Sequence, residues 1–251
     1  MSSFSSETIA DGKIIVGNNS AYIKASGNDF SDPSKLFLLA GSLADEIDGD
    51  TLSVESGGAL YCWSPTVREK QAALLNNTSL VYSGANIADY RTPTEMSVAL
   101  LAQLTDNGSE QVFYSVAGAN DNVESNNHQH SLRYYADGRL AWFHESGAGV
   151  NNNNLVYAEA SVVPGQPFVL GATLDTSGTR VTLYVNGQLS GVTTGLNAPT
   201  GGSNSSLRVG AGAAASSKME HGTVGCLAFL FGDSWSAEEH QAIADLLMVP
   251  R

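Results

Sequence analysis

Hydrophobic and polar residues alternate most regularly over residues 181–185, which read Val-Thr-Leu-Tyr-Val. This period of two is typical of a half-buried strand. The next two residues, Asn186 and Gly187, tolerate the positive φ that a two-residue type I′ hairpin requires. A hairpin is therefore predicted here, with Thr182 and Tyr184 on one face. The opposite, apolar face is predicted to hold Val181, Leu183, Val185 and, across from them, Val192.

A second hairpin is predicted over residues 132–143, where Asp137 and Gly138 supply a turn of the same type. A two-residue loop sets the register and so assigns each side chain to one face. The first face is predicted to hold Leu132, Tyr134, Ala141 and Phe143. The second face is predicted to hold Arg133, Tyr135, Leu140 and Trp142.

Short strand-like runs separated by Gly, Asn and Asp continue along the whole chain. A series of this kind is typical of a sandwich or a barrel. The predicted strands span residues 13–16, 21–25, 36–39, 51–54, 59–63, 80–82, 95–103, 111–116, 131–135, 140–144, 155–160, 167–175, 180–185, 188–193, 206–210 and 222–231. A helix is predicted near the end, where Ser236 to Glu239 forms a capping box and apolar residues follow at spacings of three and four.

The hairpin over residues 174–191, and the last strand with its acid-capped helix, resemble the same parts of concanavalin A-like, or laminin-G-like, jelly rolls. The resemblance covers residues 45–251. It implies an all-β fold: a two-sheet antiparallel jelly-roll sandwich with a short C-terminal helix and a small N-terminal β segment. In that fold, function usually means binding a glycan or a protein partner, and less often cutting a glycan.

Residues 1–44 differ from the rest of the chain. The runs Ala10–Ile14, Val16–Asn18 and Ser26-Gly27 resemble small modules of tailed-phage fibre and decoration proteins. A segment with so few apolar residues cannot bury much core by itself. The resemblance implies an attachment or oligomerisation segment, and an ordinary leading hairpin of the sandwich is the alternative. The residues expected to contact a particle are Ile9, Ile14, Val16 and Tyr22.

Composition and charge narrow the function classes. Of the 251 residues 42% are hydrophobic, so the chain can bury a core. A net charge of −13 argues against nucleic acid as a partner, because phosphate binding needs clustered Lys and Arg. The sequence contains no run of about 18 apolar residues, so no membrane span is predicted. The start lacks a basic, apolar leader, so we expect synthesis in the cytoplasm without a signal peptide. Cys62 and Cys226 lie in apolar contexts that favour buried thiols over a disulfide.

The run Glu46-Ile47-Asp48-Gly49-Asp50 offers one catalytic hypothesis. It resembles the Glu-Ile-Asp-x-Glu strand of jelly-roll endoglucanases, in which alternation places a nucleophile and an acid/base about 5 Å apart. The shorter Asp50 and the interrupting Gly49 depart from that pattern, and an acidic turn explains the same residues. An endoglucanase using Glu46 and Asp50 is therefore the less favoured hypothesis, and we predict a protein that is not an enzyme.

Two further clusters have metal-binding chemistry. His128 and His130 would place two imidazoles on one strand face, and zinc would then need a third ligand such as His144 or Glu145. Residues 121–124 offer oxygen ligands of the kind that calcium uses. Neither spacing is specific, since solvated histidines and Asx-rich turns have the same composition. We predict no metal and no cofactor, with calcium as the alternative.

Sugar recognition needs amides and hydroxyls that bond to sugar hydroxyls, and an aromatic ring on which the sugar stacks. Asn-rich loops over residues 120–128 and 151–154 supply amides on either side of the second hairpin, which carries the aromatic rings. Ordinary turns and a core position for Trp142 are the alternatives. The predicted glycan-binding residues are Asn126, Asn127, His128, Tyr135, Trp142, Asn151, Asn152 and Asn153.

These features favour a non-enzymatic protein of the bacteriophage virion: a capsid decoration, head-fibre or tail-fibre component. Its expected partners are major capsid or tail proteins, a cell-surface glycan and further copies of itself, with a trimer favoured among closed homo-oligomers. We expect it in the virion, after synthesis in the host cytoplasm. A bacterial laminin-G-like carbohydrate- or adhesion-binding module is the alternative.

Overall fold

The computed structural model describes residues 33–39, 43, 47, 49–57, 60–64, 70–75, 77–91, 94–117, 128–146, 153–199, 205–213, 217–220 and 222–248. The backbone alone is described for residues 60–64, 70–74, 128 and 153. Outside this part of the chain lie the strands predicted over residues 13–16 and 21–25 and the four expected particle contacts, Ile9, Ile14, Val16 and Tyr22.

Antiparallel strands dominate the described part of the chain, as the alternating pattern predicts. In chain order they are β1 (Lys35–Leu38), β2 (Ser53–Ser56), β3 (Leu60–Ser64), β4 (Lys70–Leu75), β5 (Ser79–Tyr82), β6 (Met96–Gln103), β7 (Gln111–Ala117), β8 (His128–Tyr134), β9 (Leu140–Glu145), β10 (Asn153–Tyr157), β11 (Phe168–Leu174), β12 (Val181–Val185), β13 (Gln188–Thr193), β14 (Ser206–Val209) and β15 (Gly222–Phe231). A 3-10 helix spans Ala85–Tyr90, and the α-helix α1 spans Ala237–Met248. The sequence prediction lacks β4 and the 3-10 helix.

The strands form two antiparallel sheets that pack face to face. Among the described strands, one sheet has eight, in the order β13-β12-β11-β6-β15-β4-β3, with β1 also pairing with β15. The other sheet has seven, in the order β10-β9-β8-β7-β14-β5-β2. Both sheets contribute side chains to the core between them, including Leu100, Phe113, Leu170, Leu183 and Phe229. The predicted jelly-roll sandwich with a short C-terminal helix is confirmed.

The turn between β12 and β13 has the predicted geometry, since Asn186 and Gly187 have φ of 52° and 80°. The expectation that Val192 shares the apolar face is wrong. A β-bulge shifts the pairing so that Val192 lies opposite Thr182, and Val192 is 43% exposed. One extra residue in a strand moves the following side chains to the other face. The extra residue, Ser190, has a separate role, because its hydroxyl accepts a hydrogen bond at 2.8 Å from the Ala160 N–H in the loop after β10.

The second predicted hairpin forms between β8 and β9, but with a different turn. Within this loop only Gly138 has a positive φ, of 89°, and the Tyr135 N–H donates to the Arg139 carbonyl at 2.9 Å. The loop therefore has three residues, a type I turn closed by a left-handed glycine. The pairing slips by one residue, so the predicted faces are wrong. The core face holds Leu132, Tyr134, Leu140 and Trp142, and the outer face holds Arg133, Ala141 and Phe143.

The helix α1 packs against the outer face of the eight-stranded sheet. Its predicted capping box is present: the Glu239 N–H donates to the Ser236 hydroxyl at 3.2 Å, and the Ser236 N–H donates to the Glu239 carboxylate at 2.7 Å. Cys226 is a buried thiol in this contact. None of the described helices has the length and apolar character needed to cross a membrane. The helix side chains that cover the sheet are Ile243, Ala244 and Leu247.

Strand β1 belongs to the sandwich although it lies within residues 1–44. It pairs with β15 along its whole length, and Phe37 is fully buried in the core. The Lys35 ammonium forms a buried ion pair with Asp50 at 3.0 Å. The sandwich therefore begins no later than Lys35, ahead of the expected boundary at residue 45.

Candidate functional site

The two Asn-rich loops leave the sandwich at one end of the seven-stranded sheet. Ala117 at the end of β7 pairs with His128 at the start of β8. Glu145 at the end of β9 pairs with Asn153 at the start of β10, and β8 and β9 are themselves paired antiparallel. The strand ends that flank both loops are therefore neighbours. Outside the described residues lie Asn126, Asn127, Asn151 and Asn152, and the side chains of His128 and Asn153.

The two aromatic residues predicted for the site lie elsewhere. Tyr135 follows β8 at its opposite end, and the usual rise per strand residue puts it about 20 Å from His128. Trp142 is fully buried between the sheets, with its ring stacked on His130 at a centroid distance of 5.6 Å. Trp142 therefore offers no surface for stacking, which corrects that part of the prediction. Of these two aromatic rings only that of Tyr135 is accessible, and it lies at the end of β8 opposite to His128.

Tyr135 instead belongs to a group on the outer face of β8, β9 and β10. Its ring meets that of Tyr157 with centroids 5.7 Å apart and planes at 64°, and both residues are partly exposed. The Arg139 guanidinium lies 3.5 Å from the centroid of the Tyr157 ring. The same guanidinium bonds to the Asp137 carboxylate at 2.5 and 2.8 Å. We call Arg133, Tyr135, Arg139 and Tyr157 the outer-face cluster.

Arg133 forms the buried side of the outer-face cluster. Its Nη1 donates to the Glu110 carboxylate at 2.9 Å, and its Nε donates to the Ser131 hydroxyl at 2.8 Å. The guanidinium carbon lies 4.0 Å from the centroid of the Phe143 ring. Burial raises the pKa of the Tyr135 phenol, and the positive charge of Arg133 opposes that rise. The cluster thus presents two tyrosine rings beside two guanidinium groups.

Sequence reasoning missed Tyr157, Arg133 and Arg139 as site residues. Tyr157 lies opposite Ala141 in the β9–β10 ladder, and this pairing places it next to the hairpin loop that carries Arg139. Detecting the cluster needs the correct register of the second hairpin. The available signal was a Tyr at the end of each of two strands that flank an Arg-containing turn.

Asp50 does not have the surroundings of a catalytic acid. It lies outside the strands, and four groups donate to its two oxygens at 2.6 to 3.2 Å: Lys35, Tyr82, Asn86 and Tyr90. Burial opposes ionisation of Asp50, but the hydrogen bonds from Tyr82, Lys35 and Asn86 outweigh it and lower its pKa. A buried carboxylate with both oxygens occupied does not face a substrate. Its proposed partner, Glu46, lies outside the described residues.

His130 and His144 are not available for the zinc site that their spacing suggested as an alternative. His130 points into the core, where its Nδ1 accepts from the Tyr114 hydroxyl at 3.0 Å and its Nε2 donates to the Tyr90 carbonyl at 2.8 Å. His144 accepts from the Trp142 indole at 2.8 Å and donates to a backbone carbonyl at 2.7 Å. Both rings therefore use both nitrogens. Within the described part of the chain, no three His, Cys, Asp or Glu side chains are placed to hold a metal.

The family of the chain follows from a match to a family model. The model described as the concanavalin A-like lectin/glucanases superfamily matches residues 76–230. The chain belongs to this superfamily. The match begins after the N-terminal residues that resemble phage modules, so it has no bearing on them. No curated protein matches the chain by sequence.

Several solved structures share the fold of this concanavalin A-like domain. Domain 4 of AbnA, a GH43 extracellular arabinanase from Geobacillus stearothermophilus solved with arabinotriose, has a TM-score of 0.64 and 16% identity, over 84% of this chain and 98% of that domain. The botulinum neurotoxin type G receptor-binding domain has a TM-score of 0.58 and 14% identity, over 86% of this chain and 51% of its own length. The Ruminococcus gnavus IT-sialidase CBM40, bound to α2,3-sialyllactose, has a TM-score of 0.53 and 13% identity, over 62% of this chain and 86% of that domain.

Proposed function

We propose that this concanavalin A-like domain binds carbohydrate and that the outer-face cluster is its contact surface. The observation that carries the proposal is the Tyr135–Tyr157 pair, two partly exposed rings held next to two arginines. Aromatic faces pack against the apolar side of a sugar ring, and guanidinium N–H groups donate to sugar hydroxyls. The arabinotriose and α2,3-sialyllactose in two structural neighbours support carbohydrate as the ligand class.

The test is to remove the Tyr157 ring. If a sugar covers on the order of 60 Å² of apolar ring surface, about 25 cal/mol per Å² gives about 1.5 kcal/mol, or roughly tenfold in Kd. We therefore expect Tyr157→Ala to weaken binding at least tenfold, and Tyr157→Phe to weaken it much less. A glycan array identifies ligands for the unaltered protein, with arabinotriose and α2,3-sialyllactose included, and titration calorimetry then gives the affinities.

The matched control is Val163→Ala, which removes an apolar side chain that is 67% exposed and lies outside the cluster. This variant should bind like the unaltered protein. Equal affinities of Tyr157→Ala and Val163→Ala would rule out the outer-face cluster as the contact surface. Absence of any glycan ligand on the array would rule out carbohydrate binding itself.

We further propose binding without cleavage. The occupied oxygens of Asp50 support this, because they leave the suggested endoglucanase pair without a partner for Glu46. The experiment is a reducing-end assay on polysaccharides with the unaltered protein and with Glu46→Gln. Equal rates at the level of the buffer blank are expected. Hydrolysis that Glu46→Gln abolishes would establish the enzyme instead.

The place of this domain in a bacteriophage virion is a proposal that rests on residues 10–27 alone. In it, residues 1–44 attach the domain to capsid or tail proteins or hold a trimer together. The bacterial adhesion module is the competing proposal. Mass and symmetry of the purified full chain, alone and after mixing with particles, separate the two. A monomer that never co-purifies with particles would exclude the virion role.

A further inference from the structure

Arg133 has an unused pair of donors inside the outer-face cluster. Its Nε bonds to Ser131 and its Nη1 bonds to Glu110. Among the described residues, its Nη2 has no hydrogen-bond acceptor, although this atom is shielded from solvent. A buried donor without an acceptor is destabilising, and more so when the group is charged. The side chain is only 9% exposed, so water does not compensate for the loss.

The surroundings of Arg133 hold the guanidinium in one orientation. Phe143 lies against one face of the group at 4.0 Å, and the bonds to Ser131 and Glu110 lie along two of its sides. The remaining side carries Nη2. Tyr135, two residues along the same strand face, feels the positive charge of Arg133. The unused donors therefore lie next to the tyrosine pair but are themselves shielded from solvent.

The chemistry of Arg133 selects its missing acceptor. A guanidinium forms its strongest hydrogen bonds with carboxylates, which are shorter than bonds to neutral groups and about twice as strong. The Glu110 carboxylate contacts Nη1 through one oxygen, and its side chain is 31% exposed. It can therefore move away from Arg133 and remain in contact with water. A neutral sugar offers only uncharged oxygens, whereas uronic and sialic acids carry a carboxylate attached directly to the ring.

We propose, on the basis of the carbohydrate binding proposed above, that Arg133 binds the carboxylate of an acidic sugar whose ring packs on Tyr135 and Tyr157. The chain carries a net charge of −13, which repels acidic glycans at long range. Attraction must therefore come from contact with specific arginines. The domain is accordingly selective for glycans with an acidic residue at this position.

The test compares each acid with a neutral ligand of similar shape. Titration calorimetry uses trigalacturonic acid against its methyl ester, and α2,3-sialyllactose against lactose, so the two pairs separate uronic from sialic acids. We expect the unaltered protein to bind at least one acid tenfold or more tightly than its neutral counterpart. Arg133→Lys keeps the charge but lacks Nη2, and should bring this ratio close to one. Arg180→Lys, on an exposed turn of the other sheet, is the matched control and should keep the ratio.

The outcomes distinguish this inference from the proposed function. Neutral and acidic ligands bound equally by the unaltered protein would overturn the acidic subsite and leave carbohydrate binding intact. If the unaltered protein bound neither neutral nor acidic ligands, both the acidic subsite and the proposed carbohydrate binding would be overturned. If Arg133→Lys does not fold, Glu110→Gln replaces it, because this change removes the competing carboxylate and keeps Arg133. Glu110→Gln should then tighten acid binding threefold or more, and an unchanged acid-to-neutral ratio would contradict the subsite.

Discussion

Acid is expected to loosen α1 from the sheet through His240. The imidazole is 2% exposed, stacks on Tyr184 at 4.1 Å and pairs its Nε2 with the Thr173 hydroxyl at 3.0 Å. Gly171 closes the remaining side, since a Cβ there would lie 2.6 Å from Nδ1. Burial lowers the pKa of His240 to about 3, and the attraction of Glu239 offsets only part of that effect. This buried contact does not accommodate a protonated imidazole.

The size of the effect follows from the difference between the folded and unfolded pKa of His240. In the unfolded chain the pKa returns to its ordinary 6.5, so only the unfolded state takes up the proton between pH 6.5 and about 3. The folded pKa is the lower one, and the stabilisation is therefore complete above pH 6.5 and is lost as the pH falls. At about 1.4 kcal/mol per pH unit, a fall of two units, to about pH 4.5, removes roughly 3 kcal/mol of unfolding free energy.

Urea unfolding, followed by tryptophan fluorescence at about pH 7.5, 6.5, 5.5 and 4.5, measures this loss. Burial also lowers the pKa of His130, to about 4, so the unaltered protein should lose a similar further amount. In His240→Gln the total loss over this range should be smaller by roughly 3 kcal/mol, because position 240 no longer titrates. Gln241→Ala, on the same helix, is the control and should show the full loss. Equal pH dependence in His240→Gln and Gln241→Ala would refute the reasoning.

Two stability predictions follow from other contacts. Lys35→Met leaves Asp50 buried without its cation and should lower the free energy of unfolding, measured with denaturant at neutral pH, by about 3 kcal/mol. A loss under about 1 kcal/mol would show that the remaining hydrogen-bond donors are enough to stabilise the Asp50 carboxylate. Gly187→Ala should cost more than Gly195→Ala by 1 kcal/mol or so, although both glycines have φ near 75° to 80°. A Cβ at Gly187 would lie 2.7 Å from the Gln241 Cα, whereas Gly195 has open space, so equal midpoints would contradict the packing argument.

The fold class could be predicted from local signals because most strands carry their own turn. Asn186-Gly187 specifies the β12–β13 turn, and the capping box specifies the start of α1. The strand β4 could not be predicted in this way. Its sequence, Lys-Gln-Ala-Ala-Leu-Leu, consists of good helix formers. It is a strand because it pairs with β3 on one side and β15 on the other, a tertiary effect that propensity does not contain.

The prediction of the candidate site depended on whether the β8–β9 loop has two or three residues. The hydrophobic pattern of the two strands distinguishes these loop lengths. A two-residue loop at Asp137-Gly138 puts Arg133 on the same face as Leu140 and Trp142, so that either a charge is buried or a tryptophan is exposed. A three-residue loop separates them: Leu140 and Trp142 enter the core, and Arg133 moves to the outer face. Turn residues suggest a register, but the free energy of burying several large apolar side chains exceeds the preference of one turn type. Comparing both registers for face consistency would have excluded Trp142 from the site and placed Arg133 and Tyr135 together on the outer face.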